Sequence, residues 1–196
     1  DEYMEDIGFE VRYNTRVGRD VQLSTLIKEY DAVFIAAGCY IPNPLTGPDG
    51  KVIPGADLKG VEDGIRLLEK TNYGEPAFIG KRVAVLGAGF TAMDCCRTAM
   101  RYGAEKVYVM YRRSKEEQPS DEYEVDEAMI ESVEFQYLVT QAAVTTKDGI
   151  HASGVRFVRN TLGDPDAGGR RRPIPVPNSE FEIEVDTVIP AFGQYS

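Results

Sequence analysis

The stretch whose residue types and spacing could hold an anion is Gly87-Ala88-Gly89-Phe90-Thr91-Ala92, which follows directly on the apolar run Val83-Ala84-Val85-Leu86. The G-x-G-x-x-A order suits a buried parallel strand that turns into a helix, with a dinucleotide pyrophosphate resting on the turn. Gly87 lets the chain turn sharply, Gly89 lets the pyrophosphate approach the backbone, and Ala92 is small enough for the helix to pack on the strand. The free amides of residues 90–92 and the positive end of the helix supply the attraction. Glycine and alanine are common, so the spacing acquires meaning only if a strand precedes it and a helix and second strand follow.

A second group stands where such a second strand would end: Tyr111-Arg112-Arg113, with no acid before Glu116. NAD sites place Asp or Glu here to bond the ribose 2′-hydroxyl, whereas arginine accommodates a 2′-phosphate. Two arginines donating to that phosphate contribute roughly 1.5–3 kcal/mol each, so the pattern points to NADP(H). Arg170-Arg171-Arg172, in a Pro- and Gly-rich stretch, reads instead as a solvated run. The single histidine, His151, follows a hairpin signal at Asp148-Gly149 and reads as a surface residue. No nucleophile and base are paired in the sequence, and hydride transfer needs none; it needs a cofactor positioned against an acceptor. Cys39, Cys95 and Cys96 form neither C-x-x-C nor an even set, so they read as small structural residues, Cys95 and Cys96 on different faces of a helix. No metal site is expected, and the cysteine pattern weighs against a thioredoxin-reductase-like activity.

The elements that must position these groups follow from periodicity. Strands are expected at 7–13 and 32–38, the latter ending in Ala36-Ala37-Gly38, either a corner another molecule can approach or a plain tight turn. Helices are expected at 23–30 and 61–70, with a Pro-rich crossing at 40–60 and a second loop at 71–80. The central unit is a strand at 82–86, a helix at 91–102 and a strand at 106–111. Ala92, Cys96, Ala99 and Met100 form one face of the helix and Asp94, Arg97 and Arg101 the other, with Gly103 as a left-handed stop. Beyond a turn at 116–120, a helix at 121–131 should bury Val125, Ala128 and Met129, and a third strand spans 134–138. Short strands at 143–146, 154–159 and 181–185 then form a meander, with 162–177 as loop, and a last apolar run ends in Ala191-Phe192-Gly193. Residues 1–6 read as the end of a helix, cut rather than begun.

With 196 residues and a net charge of -10, the chain can bury a sizeable core but presents no basic face for nucleic acid. No apolar run approaches the ~20 residues of a membrane span, and the acidic start is unlike a signal peptide. No membrane association and a cytoplasmic location are expected. The fold class is α/β: a Rossmann-like dinucleotide-binding domain, its parallel sheet backed by a β-meander layer, plus a partial FAD-domain segment.

The strand, glycine loop and helix, continued by Val-Tyr-Val-Met-Tyr-Arg-Arg-Ser-Lys-Glu-Glu-Gln-Pro, closely resemble the NADPH-binding domain of the glutamate synthase small (beta) subunit family. That family includes the flavin and NADPH module of dihydropyrimidine dehydrogenase and flavin subunits that exchange electrons with ferredoxin. Residues 30–38, Ile53-Pro54-Gly55, residues 186–189 and residues 191–194 also match. The resemblance implies an NADPH domain inserted into an FAD domain, with electrons passing from NADPH to FAD and on to iron-sulfur clusters. It implies that Gly87, Ala88, Gly89, Phe90, Thr91 and Asp94 lie on the pyrophosphate side. Arg112, Arg113 and Lys115 would then lie at the 2′-phosphate, and Gly38, Ala191, Gly193 and Gln194 near the domain junction and the flavin or nicotinamide.

The implied division is a partial FAD domain and linker at 1–78, the NADP(H) domain at 79–190, and a return towards the FAD domain at 191–196. Phe90 stands where the family usually has Asn or Asp, and Gln118 and Pro190 replace apolar residues. The family's cysteine-rich cluster segment, first FAD glycine fingerprint and Gly-Asp flavin motif have no counterpart in these 196 residues. The expectation is therefore a fragment that needs the FAD-domain remainder and a large catalytic or ferredoxin-like electron-accepting subunit. The alternative is a non-catalytic nucleotide-binding or interaction module on the same scaffold. A methyltransferase reading of the glycine loop lacks the ribose-binding acid it would need.

Overall fold

In the computed structural model, which describes residues 8–195, two compact units separate at Gly38. The expected helical end at 1–6 and the first residue of the 7–13 strand lie outside the described residues. In the first unit the regular element is α1 (Leu23–Glu29), close to the helix expected at 23–30. The strands expected at 8–13 and 32–38 are irregular instead. An extended segment becomes a strand only when a neighbour takes up its amides and carbonyls. No strand of this unit is present among the described residues to do so, and Phe34 is left 92% exposed.

The second unit runs from Cys39 and contains, in order, β1 (Ile41–Pro42), α2 (Gly64–Asn72), β2 (Arg82–Leu86), α3 (Phe90–Arg101), β3 (Lys106–Tyr111), a 3-10 turn (Lys115–Glu117), α4 (Glu122–Ile130) and β4 (Glu134–Tyr137). Then follow β5 (Val139–Thr146), β6 (Ala152–Pro165), β7 (Arg171–Pro175), β8 (Phe181–Ile183), β9 (Thr187–Pro190) and β10 (Gln194–Tyr195). β4, β3, β2 and β9 lie side by side in that order, all parallel. β5, β6 and β7 form an antiparallel layer, with β8 also paired to β6, and β1 pairs with β10. The α/β fold with a meander layer is as expected.

Because side chains alternate along a strand, the continuous apolar run of β2 serves two cores. Val83 and Val85 join Val107, Val109 and Ile189 against the helices. Ala84 and Leu86 join Met110 and Val188 on the opposite face, against Val155 and Phe157 of the antiparallel layer. A strand covered on both faces reads as uninterrupted hydrophobicity for this reason.

Several boundaries differ from the periodicity. The helix expected at 61–70 starts at Gly64, because Val61 and Glu62 bridge to Val188 and the Asp63 carboxylate caps Ile65 N at 3.0 Å. Cys95 and Cys96 are both buried in one core, not split between faces, because α3 is covered from two sides. The Cys95 thiol lies 3.6 Å from the Gly64 carbonyl of α2. Met129 is 54% exposed, since the short α4 turns only the Val125 and Ala128 stripe inward. The loop expected at 162–177 is the end of β6 and the hairpin to β7. Pro173 and Pro175 sit in β7 because it is the outer strand of its sheet, where a missing N–H leaves no ladder bond unmade.

α3 and α4 are clamped by charge. Arg97 donates to Glu131 from Nε at 2.9 Å and Nη2 at 2.8 Å and to Glu127 at 3.2 Å, and Arg101 reaches Glu131 at 3.0 Å. Hydrogen bonds from Arg97 hold the Glu131 carboxyl below its ordinary value against an opposing desolvation, with Arg101 adding to the effect. A depressed carboxylate stabilises the fold above the ordinary glutamate pKa of about 4.3, and that contribution is lost as pH falls through the depressed value. Thermal melting across acid pH is therefore expected to show a flatter fall for Glu131→Gln than for the parent chain. Leu67 of α2 is fully buried, and Leu67→Ala is expected to cost about 2–5 kcal/mol, read as a lower urea midpoint.

Candidate dinucleotide site

The parallel strands set the site by where they stop. Gly87 N donates to Met110 O of β3 at 3.0 Å, and Ala191 N donates to Leu86 O at 2.8 Å. The chain therefore leaves β2 between β3 on one side and β9 on the other, the point in an open α/β sheet where ligands bind. Gly87 has φ of 126°, and a Cβ there would lie 2.4 Å from Ala191 O. No other residue type fits that passage.

Gly89 caps α3 without any side-chain bond, in ordinary extended backbone, and a Cβ added to it would meet open space. The amides of Ala92 and Met93 return to Gly89 O at 2.9 and 3.1 Å, while those of Phe90 and Thr91 have no protein partner among the described residues. Two donors at a helix N-terminus thus face an unfilled space. Ala92 is fully buried, as its place against the strand requires.

That space is a cavity of about 690 Å³, within the range that takes a nucleotide-sized ligand. Residues 87–91 form its floor and Ala191, Phe192 and Gly193 one wall. Asn43 and Thr46 contribute from the Pro-rich crossing, and Thr140 and Gln141 from β5. Two arginines, Arg112 and Arg170, line it, and no carboxylate does. In a chain of net charge -10 this is a local reversal of sign.

The expected site residues are distributed unevenly. Gly87, Ala88, Gly89, Phe90, Thr91, Arg112, Ala191 and Gly193 line the cavity. Phe90 is 55% exposed. Arg112 keeps a solvent-exposed side chain, and its pKa is lowered first by partial desolvation and then by the charges of Arg113 and Arg170. A guanidinium remains charged regardless. The Arg112 carbonyl accepts from Asn160 Nδ2 at 3.0 Å, and the same amide donates to Thr140 Oγ1 at 2.8 Å.

Arg113 is only 9% exposed and does not line the cavity; its Nε donates to Arg171 O at 2.8 Å. Lys115 begins the 3-10 turn and borders a separate cleft beside β4. Asp94 is exposed on α3 away from the cavity lining, and Gln194 pairs with Pro42 in the β1–β10 ribbon. Gly38, with φ of 73°, belongs to the first unit.

The arginine run at 170–172 is not simply solvated. Arg170 lines the cavity, and Arg171 donates from its backbone N and from Nε to Glu117 Oε1 at 3.0 and 3.2 Å. The signal in the sequence was Asp166 to Gly169, a turn that makes 162–175 a hairpin. His151 is exposed and pairs with Asp148 at 2.7 Å. Hydrogen bonds from the His151 amide and ring hold that carboxyl far below its usual range. Burial raises the Cys95 thiol pKa and pushes that of Cys96 up to about 12, so neither buried thiol is a nucleophile at neutral pH. Among the described residues no cluster of His, Cys, Asp or Glu could hold a metal, and no helix is long and apolar enough to cross a membrane.

Residues 8–195 match the pyridine nucleotide-disulphide oxidoreductase family throughout. The chain belongs to this family. It is 44% identical over 192 residues to the NADPH-Fe(3+) oxidoreductase subunit beta of Geobacter sulfurreducens, covering 97% of this chain and 28% of that protein. It is 40% identical over 197 residues to the glutamate synthase [NADPH] small chain of Escherichia coli, covering 98% and 42%. The chain thus spans less than half the length of these relatives. Mycobacterium tuberculosis FprA in complex with NADPH shares the fold, with a TM-score of 0.69 at 18% identity, over 92% of this chain and 54% of that one.

The two loop glycines should separate by experiment. Gly87→Ala places a side chain in the left-handed region against a carbonyl and is expected to destabilise by at least about 1–3 kcal/mol. Gly89→Ala, in extended backbone facing open space, should stay within about 0.5 kcal/mol of the parent. Chemical denaturation of the two variants measures both.

Proposed function

We propose that this chain is the NADPH-binding region of a flavin-dependent oxidoreductase of the glutamate synthase small-subunit type. The observation that carries the reading is the cavity itself: a glycine turn with free amides at one end and arginine without any carboxylate at the other. In this reading the pyrophosphate rests on Gly89 and the amides of Phe90 and Thr91. The 2′-phosphate meets the arginine side of the cavity at Arg112, and the nicotinamide extends towards Ala191 and Gly193. Asp94, Lys115, Gly38 and Gln194 enter on the resemblance alone.

The chain's own contribution is binding and orientation. Helix N-terminal amides neutralise the pyrophosphate, and the wall at 191–193 holds the nicotinamide ring so that its hydride faces one direction. The residues present do not build a flavin site by themselves, since the first FAD glycine fingerprint is not among them. The hydride acceptor, FAD, and the iron-sulfur clusters beyond it are assigned to other segments or partner subunits. The relatives named as a beta subunit or small chain support such an assembly.

Isothermal titration with NADPH and NADH tests the assignment. NADPH is expected to bind more tightly, and Arg112→Ala should weaken NADPH about 10- to 100-fold, the loss of one or two charge-assisted bonds, with NADH unaffected. Equal affinity for the two nucleotides, or no binding of either, would overturn it.

A further inference from the structure

We propose that Arg170, on the β6–β7 hairpin, is a second ligand of the nucleotide 2′-phosphate beside Arg112, and that Arg113 acts as the positioning residue that holds the hairpin in place. This rests on the NADPH reading above.

The hairpin carrying Arg170 is built to present it. The Asp166 carboxylate accepts from Gly168 N at 2.9 Å and Arg170 N at 3.0 Å, and Asp166 N donates to Arg170 O at 2.9 Å. The backbone of Arg170 is therefore held on both sides by one residue. Its neighbour Arg171 anchors the hairpin to the segment after β3, through Glu117 by two bonds and through Arg113 Nε to the Arg171 carbonyl. Successive residues of extended backbone point to opposite sides; Arg171 turns to Glu117 and Arg170 to the cavity.

Charge selects the ligand. The Arg112 and Arg170 guanidiniums make no ion pair or side-chain hydrogen bond among the described residues, although the chain carries 32 Asp and Glu. Burial first, and then the like charges of Arg113 and Arg170, lower the Arg112 pKa, an arrangement that favours a dianion beside the cavity arginines. A phosphomonoester meets two planar forks well, since each donates a pair of bonds. Arg113, nearly buried and bonded to Arg171 O, is placed to act through the hairpin.

Titration with NADPH, NADH and adenosine 2′,5′-bisphosphate, which carries the 2′-phosphate without nicotinamide, tests this on the chain and its variants. Arg170→Ala should weaken NADPH and the bisphosphate about 10-fold or more and leave NADH unchanged, with Arg170→Lys recovering part of the loss. Arg113→Ala should give a similar loss. The double variant should be within about twofold of the worse single one, because residues acting as one unit are not additive. Asp166→Ala, which frees the turn from its other end, should reproduce the loss if Arg113→Ala fails to fold. Unchanged NADPH affinity in Arg170→Ala, when Arg112→Ala is impaired, overturns the proposal and leaves the NADPH reading standing. Fully additive losses overturn the positioning role of Arg113. A parent chain without preference for NADPH overturns the underlying reading instead.

Discussion

The close passage of Gly87 beneath the Ala191 carbonyl is the constraint on which the rest of the second unit depends. β2 and β9 can be hydrogen-bonded neighbours up to their last residues only because nothing projects from the turn between them. That closeness makes the end of β9 a wall of the same cavity whose floor is the glycine loop. It couples two segments 104 residues apart in sequence: a shift of either would move the floor against the wall. The helix that starts at Phe90 takes its direction from the same turn, and with it the two free amides.

The parallel sheet has no solvent-facing side in its middle strands, and this explains the otherwise odd placement of the antiparallel layer. A Rossmann half needs cover on both faces. Here α2, α3 and α4 cover one and β5, β6 and β8 contribute to the other. β6 continues past the sheet it covers, and its far end becomes the arm that reaches the mouth of the cavity. A single strand thus serves the core at its start and leads at its end into the hairpin that carries Arg170.

Much of this was legible in the sequence where one physical signal dominated. The run at 82–86, the glycine spacing and the alternation at 106–111 each admit few structures, and the strand-turn-helix-strand unit follows them closely. Legibility failed where tertiary pairing overrode local pattern. Residues 32–38 are as apolar as β2, yet without a paired neighbour they are irregular. Residues 162–175 look like loop by composition, but an outer strand tolerates proline and glycine that an inner one excludes. At the site, Gly87 was readable because it has a steric reason to be there. Arg170 was not, because its place on the cavity comes from a hairpin whose register depends on β6 and on Glu117, far away in the chain.

The prolines of β7 have another consequence. An outer strand ordinarily exposes a row of amides that can recruit a strand from another molecule, the usual beginning of edge-to-edge aggregation. Pro173 and Pro175 remove two of those amides from an arm that extends beyond the covered sheet. The arm is thereby kept from self-association by its backbone alone, leaving its side chains free of that duty. A surface hairpin can then carry three consecutive arginines, one lining the cavity and one anchored to Glu117, with solubility secured by backbone chemistry that those side chains do not use.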